Sequence, residues 1–179
     1  MNKVKTLIIS SLLLVTSVVG ANAASTAPDW VIQDKKVTPG ALNPTVTQAN
    51  IATTVCKSGW TATIRPTVTY TNKLKDTQLK TTYLSYTKIW GEKASAYEED
   101  HLISLQLGGA PSDPKNLWPE PYAGNGARKK DVVETALKRL VCAGTLKLAD
   151  AQKAILDWPT AYKKYVTAAD TKAPDTSDN

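Results

Sequence analysis

Hydrophobic periodicity is clearest from Ala127 onward, where Val132, Val133, Ala136, Leu137, Leu140 and Val141 fall on one helical face. Arg128, Lys129, Lys130, Glu134, Lys138 and Arg139 lie elsewhere on the same helix, and Gly144 closes it. LADAQKAILDW (148–158) reads as a second helix, interrupted at Pro159, with AYKKYV adding a turn or two. In LKDTQLKTTYLSY (74–86), Leu74, Gln78, Leu79, Tyr83 and Tyr86 have helical spacing, which predicts a polar helix. A short helix is expected to run through Cys56. TATIRPTVTY (61–70) is β-branched and contains Pro66, so an edge or bent strand is expected there. In YEEDHLISLQL (97–107), Leu102, Ser104 and Gln106 alternate with Ile103, Leu105 and Leu107, predicting a strand that begins near His101. Gly108-Gly109 breaks it, APSDPK forms a turn-rich loop, and NLW gives a second short strand stopped by Pro119 and Pro121. The order strand, glycine loop, short strand, helix makes the chain α+β.

The ends of the chain follow different rules. Lys3 and Lys5 precede an apolar run over 7–19, and Ala21-Asn22-Ala23 supplies the small residues a signal peptidase reads. The run is shorter than the ~20 residues that span a bilayer, so residues 1–23 are expected to be a cleaved export signal rather than an anchor. Export to the periplasm or the medium follows, with no stable membrane association afterwards. Residues 24–50 are rich in Pro, Gly, Asn and Thr and read as an extended lead-in; 51–168 form a single domain with its core at 97–142; 169–179 are a polar tail expected to be disordered.

Loss of the signal removes two lysines and lowers the net charge from +6 to about +4. Such a mild excess suits an anionic partner and does not require one. Cys56 and Cys142 are the only cysteines. In an oxidising compartment a disulfide is expected, worth up to about 4–5 kcal/mol across so long a loop; the alternative is two buried thiols. Zinc is disfavoured, because neither cysteine has a neighbour at ligand spacing and His101 is the only histidine.

That histidine follows Glu98, Glu99 and Asp100 and precedes Gly108-Gly109 and Asn116. The run DHLISLQLGGAPSDPKNLW (100–118) resembles the core of the HNH, or ββα-metal (His-Me finger), nucleases: an acid–His pair, apolar residues, Gly-Gly, a loop and Asn-Leu. Counting the helix after it, the likeness extends to Cys142; the sequence before residue 90 contributes nothing to it. The resemblance implies a small ββα-metal core, with additional helices on its C-terminal side and an irregular N-terminal extension. It implies a metal-dependent endonuclease hydrolysing DNA or RNA, with His101 as the general base and Asn116 holding the loop and orienting His101. Asp100 would be a ligand to Mg²⁺ or a similar divalent ion.

For the third position of the motif two residues stand equally. Asn125 falls at the family's usual spacing, and Asp131 lies one turn inside the helix with Glu134 on the same face. Ser104 stands where the family has proline, and the loop is one residue longer than the commonest form. Arg128 and Lys130 are candidate phosphate contacts. A monomer is expected.

Blander readings accompany each feature. A single histidine beside acids is often a solvated surface residue, and Glu98 and Glu99 read as a solvated acidic face. The five tryptophans (30, 60, 90, 118, 158) are scattered, as core residues are, rather than clustered as base-stacking platforms. Gly-x-Ser-x-Gly is absent, which speaks against a serine hydrolase. Beside the nuclease stands one alternative from another class: an exported binding domain on the same core, with catalysis lost.

Overall fold

The computed structural model describes residues 29–172; the expected export signal and the end of the expected tail lie outside the described residues. The architecture is mixed α+β. Two short antiparallel strands, β1 (Tyr97–His101) and β2 (Leu117–Pro121), sit among helices α1 (Trp60–Ile64), α2 (Val68–Lys80), α3 (Leu84–Trp90), α4 (Ala127–Cys142), α5 (Leu148–Ile155) and α6 (Trp158–Tyr165). The strands pair in the register Tyr97–Pro121, Glu99–Pro119 and His101–Leu117. No helix among the described residues is long and apolar enough to cross a membrane.

The strand expected to begin near His101 instead ends there. Beyond it, Leu105–Leu107 form a 3-10 turn in which the Ser104 hydroxyl accepts the Gln106 amide, with Gly108 in the left-handed region at φ +77°. The alternation was misleading because every residue from His101 to Ala110 is buried, so the apolar pattern there reports burial rather than a two-faced strand. β2 runs through Pro119 and Pro121 instead of stopping at them. In a two-stranded ribbon each strand has an outer edge, where a missing N–H removes no ladder bond.

The segment 61–70 holds the end of α1 and the start of α2, with only 65–67 extended between them, rather than a strand. Thr67 caps α2 by accepting the Tyr70 amide at 3.3 Å, and Pro66 precedes that cap, so the local start signal outweighs the β-branched composition. Pro159 begins α6 rather than interrupting it, lying in a first turn capped by Asp157. Helices therefore precede the strands as well as follow them.

Two apolar clusters hold the molecule. Val133, Leu137 and Val141 of α4 meet Ile155, Trp158 and Ala161, together with Ile103 and Leu107 from the loop after β1. Val31, Tyr83, Leu102 and Trp118 form the other. Leu102 and Ile103 thus anchor opposite sides of one loop, immediately after His101. Trp118 and Trp158 are fully buried, and Trp30 packs edge-on against Trp158 at 5.2 Å. Within the described part of the lead-in, Trp30 bridges to Asn125 and Leu42 to Gly109, strapping it across the loops that flank β2. Asp170, inside the expected tail, is buried and accepts two hydrogen bonds from Arg139, at 2.9 and 3.0 Å.

Cys56 and Cys142 form a disulfide with a sequence separation of 86. It ties the end of α4 to the segment before α1.

Candidate active site

His101 occupies the last position of β1 and is only 5 % exposed, so it is not a surface histidine. Its Nε2 lies 2.9 Å from the Pro111 carbonyl oxygen. A carbonyl only accepts, so Nε2 carries the hydrogen and the neutral ring keeps its lone pair on Nδ1. Burial lowers the imidazole's affinity for a proton; the Asp100 carboxylate opposes that, and the charges of Lys130 and Arg65 reinforce it. The net direction is downward, which leaves the ring neutral at pH 7.

Asn116 joins the two sides of the loop. Its Nδ2 donates to the carbonyls of Ile103 and Ala110, both at 3.0 Å, and its Oδ1 accepts from the Ile103 amide at 2.9 Å. Towards His101, Asn116 is linked only indirectly: Leu102 N–H donates to the Asn116 carbonyl at 2.8 Å, while the Pro111 carbonyl takes the ring. Gly109 is required at this crossing. A Cβ built there would lie 1.7 Å from the Ile103 carbonyl oxygen and 2.8 Å from Asn116 Nδ2.

Asp100 belongs to a different cluster from His101. Adjacent residues on a strand project to opposite faces, and the two side chains have separate partners. Asp100 Oδ2 accepts from Lys130 Nζ at 2.5 Å. The same ammonium bonds Glu134 Oε1 and, at 2.7 Å, the His101 carbonyl oxygen. Lys130 is therefore fully buried, and the expectation that it contacts phosphate is corrected: its three donors are consumed inside the protein.

Electrostatics within this cluster are strongly coupled. Burial alone would raise the Asp100 carboxyl, but Lys130 beside it, with a smaller contribution from Glu120, brings it below the usual range. Burial pushes the Glu120 carboxyl well up, against the pull of Lys130, and both its oxygens are buried without a hydrogen-bond partner. Glu134 is also raised by burial, against the pull of Lys130 and of Ser104. Ser104 thus has two tasks here, capping the 3-10 turn and lowering the Glu134 carboxyl.

The residues expected to hold a divalent ion do not converge. Lys130 already neutralises Asp100, Asp131 pairs with Arg128 at 3.4 Å, and Asn125 sits in the turn that bridges to Trp30. Among the described residues no group of three or more His, Cys, Asp or Glu side chains is placed to hold an ion. A buried ammonium against Asp100 also repels a second cation at that oxygen. As arranged, these residues do not fit the ion.

Glu99 corrects another expectation. It is not part of a solvated acidic face: both carboxyl oxygens are buried without a hydrogen-bond partner, and burial, reinforced by Asp100, pushes the group up to about 9. Arg128 remains on the surface, 5.4 Å from the Tyr122 ring centroid.

Sequence reasoning missed Arg65, which is exposed on the turn before α2 and close enough to act electrostatically on His101. It also missed the Pro111 carbonyl, since a backbone acceptor leaves no mark in residue types. No family model, no curated protein and no solved structure matches the chain.

Proposed function

We propose that the protein is an exported nuclease that hydrolyses phosphodiester bonds of DNA or RNA, with His101 as the general base. The observation that supports this reading best is the His101 Nε2–Pro111 oxygen bond of 2.9 Å, which leaves Nδ1 as the ring's basic atom. A neutral imidazole held in one tautomer can take a proton from water at pH 7, and its lowered affinity keeps it ready to do so. Arg65 and Arg128 are the cations suited to meet phosphate oxygens; Lys130 is not, being buried. The resemblance of residues 100–118 to the HNH nucleases supports the same chemistry. The disulfide and the signal-like residues 1–23 support export, and the enzyme is read as a monomer with nucleic acid as its substrate.

The divalent ion that the family implies carries no step here, because Asp100, Asn125 and Asp131 do not assemble a site for it. The second reading, an exported interaction domain without catalysis, is favoured by one observation: Lys130 satisfies Asp100 internally.

One experiment separates them. The oxidised protein from residue 24 onward is incubated with plasmid DNA and with RNA, in Mg²⁺, in Mn²⁺ and in a chelator. Cleavage supports the nuclease, and its loss in chelator would mean that an ion is recruited by groups other than the expected set. Protein inert on both substrates under all three conditions leaves the interaction domain.

A further inference from the structure

Three consecutive carbonyls of the loop between the strands each accept one side-chain hydrogen bond. Ala110 receives Asn116 Nδ2 at 3.0 Å, Pro111 receives His101 Nε2 at 2.9 Å, and Ser112 receives the Tyr70 hydroxyl at 2.7 Å. The first two donors belong to the segment that resembles the nuclease core. The third comes from α2, well outside it.

We infer that Tyr70 is a positioning residue for His101, acting through the Ser112 carbonyl to hold the neighbouring Pro111 carbonyl against the imidazole. The inference rests on the proposed role of His101, and it gives α2 a part in that role.

The geometry supports it from both ends. Pro111 lies between two clamped residues, so its carbonyl cannot swing away from His101 unless the bond to Ala110 or to Ser112 yields. Asn116 is buried and clamps the Ala110 side from within the core. The Ser112 side is exposed, so an unclamped loop would move there first. Tyr70 reaches it because the cap of α2 sets where the helix begins: the Tyr70 amide donates to Thr67 Oγ1, and Pro66 fixes the approach. Burial, followed by the charges of Glu99 and Asp113, holds the phenol in its protonated form, so it remains a donor. The ring is partly exposed and is not needed to fill the core; its hydroxyl is the group the loop uses.

The test uses Tyr70→Phe, which keeps the ring and the backbone cap, with Thr71→Val as a hydroxyl-removing control on the same helix. Because the chain has a single histidine, ¹⁵N-labelled imidazole gives one unambiguous pair of ring-nitrogen resonances. Spectra at about pH 8, where an ordinary imidazole is neutral, report which nitrogen bears the hydrogen and how fast it exchanges with water. The expected result is that Tyr70→Phe lowers the Nε2–H population and speeds its exchange about tenfold, an effect typical of one lost hydrogen bond. Thr71→Val should leave both unchanged. In the hydrolysis assay Tyr70→Phe should lower kcat about three- to tenfold with KM unaltered. An imidazole signature identical in Tyr70→Phe and wild type would overturn the inference. A wild-type protein inert on nucleic acid would instead overturn the nuclease reading, and the imidazole spectra would still decide whether Tyr70 positions the ring.

Discussion

Lys130 Nζ lies 2.5 Å from Asp100 Oδ2, so the acid preceding His101 is answered by a buried ammonium from α4. Removing one partner of a buried ion pair leaves the other uncompensated, at a cost of about 3–5 kcal/mol. Here Glu134 loses the same cation. Lys130→Met is therefore expected to destabilise the protein by about that amount at pH 7, measured by chemical denaturation. Its orphaned carboxylates would bind protons more tightly folded than unfolded, so the deficit should shrink as the pH falls towards 4. A Lys130→Met protein as stable as wild type at pH 7 would show that the ammonium is not held as described.

How much of this was legible in the sequence depends on what each signal encodes. The α4 helix was readable because one face is apolar and the rest is charged, and the cysteine pair because only two were available. The strand was misplaced because residues 101–110 are buried on all sides, a condition in which periodicity vanishes. Helix α2 was readable from Leu74 onward, but its first turns were missed because its start depends on Pro66 and Thr67 rather than on composition. Lys130 was misread for another reason. It sits in a basic run, and only the folded contact with Asp100 and Glu134 reveals that its charge faces inward. Asn116, by contrast, stood out in the sequence only by its place after the glycine loop, and its bonds to the Ile103 and Ala110 carbonyls come from the folded crossing.

Asn116 satisfies two carbonyls and one amide across the loop that carries Pro111. Asn116→Ala would leave these buried groups without partners. The expected loss is about 2–4 kcal/mol by thermal or urea unfolding, together with poorer definition of the His101 ring. A loss below about 0.5 kcal/mol would mean the loop is held by other means.

The disulfide closes a separation of 86 residues and joins α4 to the segment before α1. Changing Cys56 and Cys142 together to Ala is expected to lower stability by about 2–5 kcal/mol. Reduction of the wild type by a thiol should lower its melting temperature in the same direction, whereas the double variant should not respond to the thiol.

Glu99 gives a pH signature. Its carboxyl rises from an ordinary 4.5 to about 9 on folding, chiefly through burial. Below 4.5 both states hold the proton and there is no penalty; as pH rises towards 9 the unfolded chain releases it while the folded one keeps it, so stability falls across that window. Glu99→Gln removes the penalty. It should melt about 5 °C above wild type at pH 8 and close to it at pH 4. Equal melting temperatures at both values would mean that Glu99 ionises freely in the folded protein.

The central claim is that His101, held by Pro111 through Nε2, activates water at Nδ1. The most direct measurement compares initial rates of nucleic-acid hydrolysis by wild type and His101→Ala, with melting temperatures recorded on the same preparations. A general base contributes on the order of 10²–10⁴ in rate, so the variant should lose that factor while remaining folded. A folded His101→Ala protein that cleaves as fast as wild type would contradict the claim.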